Sequence, residues 1–386
     1  MTPLTHLLTA TRDLEAPLGV VDEDALWANA DDLVRRAAGV PVRVASKSVR
    51  VRDVLTRTLQ RPGFAGVMSY SLLESCWLVD HGIDDVLLAY PSTSAAGFHE
   101  LVADDRRRAA VTVMIDSVEH LDVIDALIGR GHPPIRVCLD VDASLRLGPL
   151  HLGVRRSPVH SARQAGRVAR DVVARAGFDL VGVMFYDAQI AGLPDSSPAV
   201  RLVKRRSAAE LLRRRSAVID AVSQHASLEI VNAGGTGSLE VTGADPAITE
   251  LTAGSGLFAP RLFDGYDAFT PRPAAFYALP VVRRPSKDVA TVYSGGYIAS
   301  GPTGDSRAPV PAWPEGLSLI GTEGAGEVQT PVRGPAARDL RIGDRVLLRH
   351  AKAGEPFERL DTVALVRGDG TVTTTPTYRG EGKNFG

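Results

Sequence analysis

The sequence predicts an α/β fold: a (β/α)8 TIM-type barrel followed by a C-terminal all-β domain. Three observations predict it. Short apolar strands alternate with amphipathic helices about eight times over about 250 residues, the rhythm and length of such a barrel. The strands are apolar runs without strict alternation, as expected where both faces are covered. From about residue 280 the helical patterns stop, and short strands separated by Gly, Pro and Asp turns take over. A doubly wound open sheet is the alternative, but no G-x-G-x-x-G follows the first strand.

Residues 1–16 read as an N-terminal arm, 17–278 as the barrel and 279–386 as the β-domain. The first short strand, 17–21, precedes the barrel's own rhythm and is a candidate member of the β-domain. A helix over Ala25–Ala38 follows, capped by Asp22 or Asp24, with apolar residues at helical spacing. The next strand runs into Lys47. Strands then end near Ser69, Ala89, Ile115, Val141, Tyr186, Asn232 and Thr252, with helices between them over 53–59, 72–81, 94–105, 118–130, 161–176 and 200–224. Gly82, Gly131 and Gly177 close three of these helices as C′ residues. Between Val141 and Ser161 lies a polar loop holding Arg146 and Gly148. In the last hundred residues the expected strands are 289–293, 317–320, 345–349, 362–366 and 372–375.

The bulk numbers narrow the function classes. Hydrophobic content of 44% and charged content of 23% are ordinary for a globular chain. A net charge of −1 offers no field for nucleic acid or an anionic membrane. The arginines of 201–215 read as a solvated helix face. Cys76 and Cys138 sit in apolar runs and read as buried free thiols. With no signal-like head and no membrane-length apolar run, a cytoplasmic setting is expected.

In a barrel of this kind functional residues follow the C-terminal ends of the strands. Lysine occurs elsewhere only at 204, 287, 352 and 383, so Lys47 at a strand end invites an amine role. Arginine can neither lose its proton near neutrality nor form an imine; lysine can do both. Late in the barrel, Gly234-Gly235-Thr236-Gly237 and Gly254-Ser255-Gly256 are glycine-rich turns, where barrels bind phosphate through bare backbone N–H groups. An amine, a phosphate cup, Arg146 and Tyr186 together suggest pyridoxal 5'-phosphate, with Lys47 as its Schiff-base lysine.

From residue 17 to about 360 the chain resembles the alanine-racemase-type (fold type III) pyridoxal-phosphate enzymes, in the branch of D-threonine aldolases and D-serine dehydratases. The resembling stretches are Ala16–Asp22, the lysine strand, Gly66–Glu74, Ile83–Pro91, Asp140–Asp142 with Arg146, Val183–Tyr186, Asn232–Ser238 and Glu250–Ser255. The resemblance implies that Lys47 bonds the cofactor and carries the proton at Cα. It also implies that Arg146 meets the phenolic oxygen and that Tyr186 lies at the ring edge. Asn232, Gly234, Gly235, Thr236, Gly254 and Ser255 would then bind cofactor, and the molecule would be a homodimer.

Two departures mark this chain. Where relatives carry Gly-His after the tyrosine, it reads Asp187-Ala188-Gln189, and Gln189 is the candidate to touch ring nitrogen or substrate. Where relatives hold a divalent metal with His-x-Cys or His-x-Asp, His350 is followed by Lys352, with Glu355 and Glu358 beyond. His350 is thus the one candidate metal ligand from that pair, or else a base for a substrate hydroxyl. The expected activity is Cα–Cβ cleavage or formation on D- or α-substituted β-hydroxy amino acids, exchanging an aldehyde. The alternatives are a D-serine dehydratase, a racemase, and a non-catalytic pyridoxal-phosphate carrier.

Overall fold

The structure, a computed structural model, describes residues 4–302, 304–354 and 356–386. Its contacts divide into two compact units. One gathers the chain up to Asp32, Lys47–Leu55 and Ser255–Asn384; the other gathers Leu33–Ser46, Thr56–Gly254 and Phe385–Gly386.

The first strand, β1 (Leu18–Asp22), does not enter the barrel. It pairs antiparallel with a later strand, β12 (Ala275–Ser286), and parallel with β18 (Thr362–Val366). Flanked on both sides and covered on both faces, Leu18, Val20 and Val21 are all buried.

The barrel closes in the order β10-β11-β2-β3-β4-β5-β6-β9, every pair parallel. In chain order these strands are β2 (Val42–Ala45), β3 (Phe64–Ser69), β4 (Val86–Leu88), β5 (Val111–Ile115), β6 (Ile135–Asp140), β9 (Phe178–Phe185), β10 (Ile230–Ala233) and β11 (Glu250–Ala253). Leu87, Met114, Cys138, Met184 and Ile230, one each from β4, β5, β6, β9 and β10, form one buried apolar cluster that Met68 joins. Arg43 of β2 is buried across the barrel, donating to Glu250 Oε1 (2.7 Å) and to Asp85 Oδ1 (2.7 Å). Burial alone would lower its pKa, but the two carboxylates outweigh that and keep the guanidinium charged.

Helices follow the strands where the caps predict them. Ser71, Ser94, Ser161 and Ser197 each accept a hydrogen bond from the first turn of the helix that follows. The expected helix 94–105 is shorter, Ala95–Val102, and a second helix, Asp105–Ala110, starts after its own cap Asp104. The expected polar loop after β6 holds a hairpin, β7 (Leu145–Leu147) and β8 (Leu150–Leu152), turning on Gly148 at φ +58°.

The other unit is built on β12, β13 (Val289–Tyr293), β14 (Val310–Trp313), β15 (Ser318–Leu319), β16 (Gln329–Arg333), β17 (Arg345–Arg349), β18 and β19 (Val372–Pro376). The long β12 serves two layers, pairing with β1 and β17 near its start and with β13 from Val281 onward, with register shifts between Val281 and Arg283 and between Arg283 and Ser286. Two cores result: Tyr277, Leu279, Val292 and Val346 in one, and Phe276, Ala278, Leu347 and Ala364 in the other. Leu7 joins the second core, because the expected arm folds as the helix Thr5–Ala10. Cys76 and Cys138 are buried and free. Among the described residues no helix is long and apolar enough to cross a membrane.

Candidate active site

Parallel pairing brings every barrel strand's C-terminal end to one side of the barrel. Lys47 follows β2 in the short 3-10 turn Ser46–Ser48, where it is exposed between the buried Ser46 and Ser48. The turn is held from both sides: Arg50 Nε donates to the Lys47 carbonyl at 3.2 Å, and Ser46 Oγ donates to the Met68 carbonyl at 3.1 Å. A Cβ on Gly354 would lie 2.6 Å from the Lys47 carbonyl oxygen, and Gly354 has φ +112°, so only glycine fits that approach.

Tyr186 follows β9. Its ring carries the Arg156 guanidinium at 4.9 Å and lies 3.7 Å from where a Gly235 Cβ would stand. Arg146, in β7, donates through Nε (3.2 Å) and Nη2 (2.5 Å) to Asp142 Oδ2. Asp142 also accepts from the Ser144 N–H and hydroxyl, both at 2.8 Å, with His160 Nδ1 3.4 Å away. Burial would raise its pKa, but the nearby His160 and the bonds from Ser144 and Arg146 outweigh it and hold the carboxylate well below its ordinary range. Arg214 fixes the same loop, donating to the carbonyls of Asp142 (2.7 Å), His160 (3.1 Å) and Ser144 (3.0 Å). The expected solvated basic face holds for Arg205, Arg206 and Arg213, which are exposed, but not for Arg214, which reaches the loop, or Arg215, which is buried against Asp245.

The glycine turn after β10 is rigid. Gly234 has φ +83°, and a Cβ on Gly235 would meet the Ala191 Cβ at 2.7 Å. The Gly235 N–H donates to Ser238 Oγ (3.1 Å), and Ser238 donates to Asp187 Oδ1 (3.0 Å). Thr242 donates to Asp187 Oδ2 (2.6 Å), and the Thr236 carbonyl accepts from Arg36 (2.7 Å). Asp187 is fully buried, and that burial raises its pKa against the Thr242, Arg215 and Ser238 contributions. Gly254 is buried after β11, and Ser255 opens the short helix Ser255–Phe258.

Two expected contacts find other partners. Asn232, expected on the cofactor, lies inside β10. Its Nδ2 donates to Glu250 (2.7 Å) and Thr252 (2.8 Å), and its Oδ1 accepts from Thr252 (3.1 Å). Gln189, expected on ring nitrogen or substrate, is buried and donates to the Ala143 carbonyl at 2.7 Å. Among the described residues its Oε1 has no hydrogen-bond partner.

His350 follows β17 and is 2% exposed. Its Nδ1 is 3.1 Å from the Ala275 carbonyl, which can only accept, so Nδ1 carries the proton. Among the described residues Nε2 is buried without a hydrogen-bond partner. Burial, then Arg349, push the pKa down to about 3 against the Ala275 bond, so the ring is neutral. Among the described residues the surrounding donors do not make a divalent-ion site. Glu358 is paired with Arg50, Lys352 is cationic, and Glu355 lies outside the described residues. Among the described residues no three His, Cys, Asp or Glu side chains gather as a metal set.

Sequence reasoning missed Arg156, Arg214 and Asp187. The first two lie in loops and on a basic helix with no spacing signal. Asp187 was visible as a departure from the Gly-His pattern, though not as the anchor of the glycine turn.

The sequence matches the family model described as "Alanine racemase, N-terminal domain" over residues 21–258. Sequence comparison with curated proteins gives no match. Among solved structures, the D-threonine aldolase from Filomicrobium marinum has a TM-score of 0.79 at 21% identity, covering 95% of this chain and 96% of that one. The D-threo-3-hydroxyaspartate dehydratase from Delftia sp. HT23 has a TM-score of 0.75 at 18% identity, covering 94% and 97%. An alanine racemase from Corynebacterium glutamicum has a TM-score of 0.58 at 16% identity, covering 86% and 88%. These likenesses show the fold, a barrel followed by a β-domain. With the family model matching well over half of its 386 residues, the chain belongs to the alanine racemase N-terminal domain family, the fold type III group its motifs resemble.

Proposed function

We propose that the chain is a pyridoxal-phosphate lyase that breaks or forms the Cα–Cβ bond of D- or α-substituted β-hydroxy amino acids, with an aldehyde as co-product. The residues present suit the cofactor. A strand-end amine, Lys47, follows β2, and a glycine turn with φ +83° and no anionic side chain of its own follows β10. Lys47 would bond the aldehyde carbon. The turn Gly234–Thr236 with Gly254 and Ser255 would hold the phosphate, and Tyr186 would flank the ring. Arg146, with Nε and Nη2 engaged by Asp142, keeps Nη1 for the phenolic oxygen. When bound, pyridoxal phosphate supplies an aldehyde for amine attachment and an electron-withdrawing ring that accepts the electron pair left on Cα.

The observation that carries the choice of reaction is His350. A neutral imidazole with its proton fixed on Nδ1 and a bare Nε2 is a base, suited to take the β-hydroxyl proton as an aldehyde departs. Dehydration instead needs a group that gives the leaving hydroxyl a proton, and Nε2 carries none; the choice rests on this tautomer and not on the lowered pKa, which weakens the ring as a base as well. Lys47 is then the group that delivers a proton to Cα. The reading includes a homodimer, and the two buried free thiols suit a reducing, cytoplasmic setting.

Incubation with D-threonine, D-serine, and glycine plus an aldehyde tests it, with and without chelator. Release of aldehyde and glycine from D-threonine, unchanged by chelator, is the expected result. A 2-oxo acid and ammonia from D-serine would replace the aldolase with a dehydratase. Cofactor binding without turnover would leave a carrier.

A further inference from the structure

The barrel unit carries a cleft of about 430 Å³ beside the β7–β8 hairpin, lined by Arg146, His151, Arg155 and Arg156 among others. Arg156 is held in it by stacking. Its guanidinium lies 4.9 Å from the Tyr186 ring centroid and 5.5 Å from that of Tyr90. Tyr186 follows β9 and Tyr90 follows β4 by two residues, so the fork is fixed against the side of the barrel where the strands end. Stacking on aromatic faces orients a guanidinium while leaving its N–H edge free to donate.

That edge lacks an acceptor. Among the described residues neither Arg155 nor Arg156 makes an ion pair, whereas Arg146 is paired with Asp142 and Arg214 with Glu210. Asp140, at the end of β6, interacts electrostatically with Arg156 without pairing to it. Asp142 is already taken by Ser144, Arg146 and His160. Arg155 and Arg156 are both exposed, so their charge faces solvent at the cleft. Two unpaired guanidiniums carry twice the charge of one α-carboxylate, so a single carboxylate leaves the cleft uncompensated.

We propose that this cleft selects dicarboxylates: Arg156, with Arg155 beside it, receives a side-chain carboxylate, so the substrate is a β-hydroxy amino acid bearing a second acid group. A planar fork pre-set by stacking suits bidentate carboxylate binding. The substrate assignment rests on the lyase reading above; the dicarboxylate site does not.

The test is calorimetric binding of succinate and of butyrate to the holoenzyme, in the parent protein and in Arg156→Gln, Arg156→Lys and Arg155→Gln. The parent is expected to prefer succinate by about tenfold or more, the order of one charge-assisted bidentate contact. Arg156→Gln is expected to bring the ratio near one with circular dichroism and cofactor absorbance unchanged, and Arg156→Lys to recover part of it. Equal affinities in the parent, or an undiminished ratio in Arg156→Gln, would overturn the site. Should Arg156→Gln not fold, Arg155→Gln decides: a ratio lowered several-fold supports the site and an unchanged one overturns it. Turnover of 3-hydroxyaspartate against D-threonine then separates the two claims. Arg156-dependent succinate binding with no cleavage of either compound keeps the site and removes the lyase reading. Cleavage that favours the monocarboxylate keeps the lyase reading and overturns the substrate assignment.

Discussion

A buried histidine whose two nitrogens have different fates is the most informative residue of the chain. Because His350 stays neutral in the fold, unfolding at mildly acidic pH takes up a proton that the native state refuses. Its folded pKa, about 3, lies below its ordinary 6.5, so its contribution to stability is complete above the ordinary value and falls as pH drops toward the folded one. The expected slope is about 1.4 kcal/mol per pH unit within that window. Denaturant midpoints followed from pH about 7 to about 5 should show that slope in the parent, and a flatter line in His350→Asn. The same variant should lose kcat by roughly 10²–10⁴ if Nε2 is the hydroxyl base, with cofactor content unchanged. The sequence located His350 and its mismatched neighbour Lys352 but not its tautomer, which depends on a carbonyl 75 residues away in β12. Asn232 and Gln189 show the same limit. Their places in the β10 and post-β9 segments were legible, but their partners, Glu250, Thr252 and the Ala143 carbonyl, belong to tertiary structure.

Single elements carry the next level of the argument. The turn after β10 is shaped from below by Asp187, which holds Ser238 and Thr242, and from the side by Ala191 against Gly235. Asp187→Ala removes both acceptors and should weaken cofactor affinity by about tenfold, roughly the loss of one or two hydrogen bonds. Equilibrium dialysis against the cofactor measures it; unchanged affinity would mean the turn holds its shape without that anchor. Gly235→Val should fail more completely, since a Cβ already stands 2.7 Å from Ala191. Elements with one clear period were legible: β13, β17 and β18 have the expected bounds. β12 was not, because Pro280 and Pro285 interrupt it and it changes partners midway. The β7–β8 hairpin was hidden because strands of three residues show no period.

For the whole molecule, the barrel was legible from alternation alone, but the chain's path between its two units was not. β1 stands outside the barrel's rhythm in the sequence, but the strands that fill its two sides, β12 and β18, come more than 250 residues later. Barrel closure instead depends on β11 pairing with β2, and across that seam Arg43 meets Glu250. Arg43→Leu leaves Glu250 buried without its partner and should cost about 3–5 kcal/mol of stability, read from chemical denaturation. A loss below about 1 kcal/mol would show the network to be replaceable by apolar packing.

The central claim is that Lys47 is the amine that holds pyridoxal phosphate. The most direct measurement is borohydride reduction of the cofactor-loaded protein, followed by peptide mass mapping across all the lysines, 47, 204, 287, 352 and 383. The account predicts a pyridoxyl group on Lys47 alone, and a visible absorbance band that Lys47→Ala lacks. A label on another lysine, or no label after reconstitution, would contradict it.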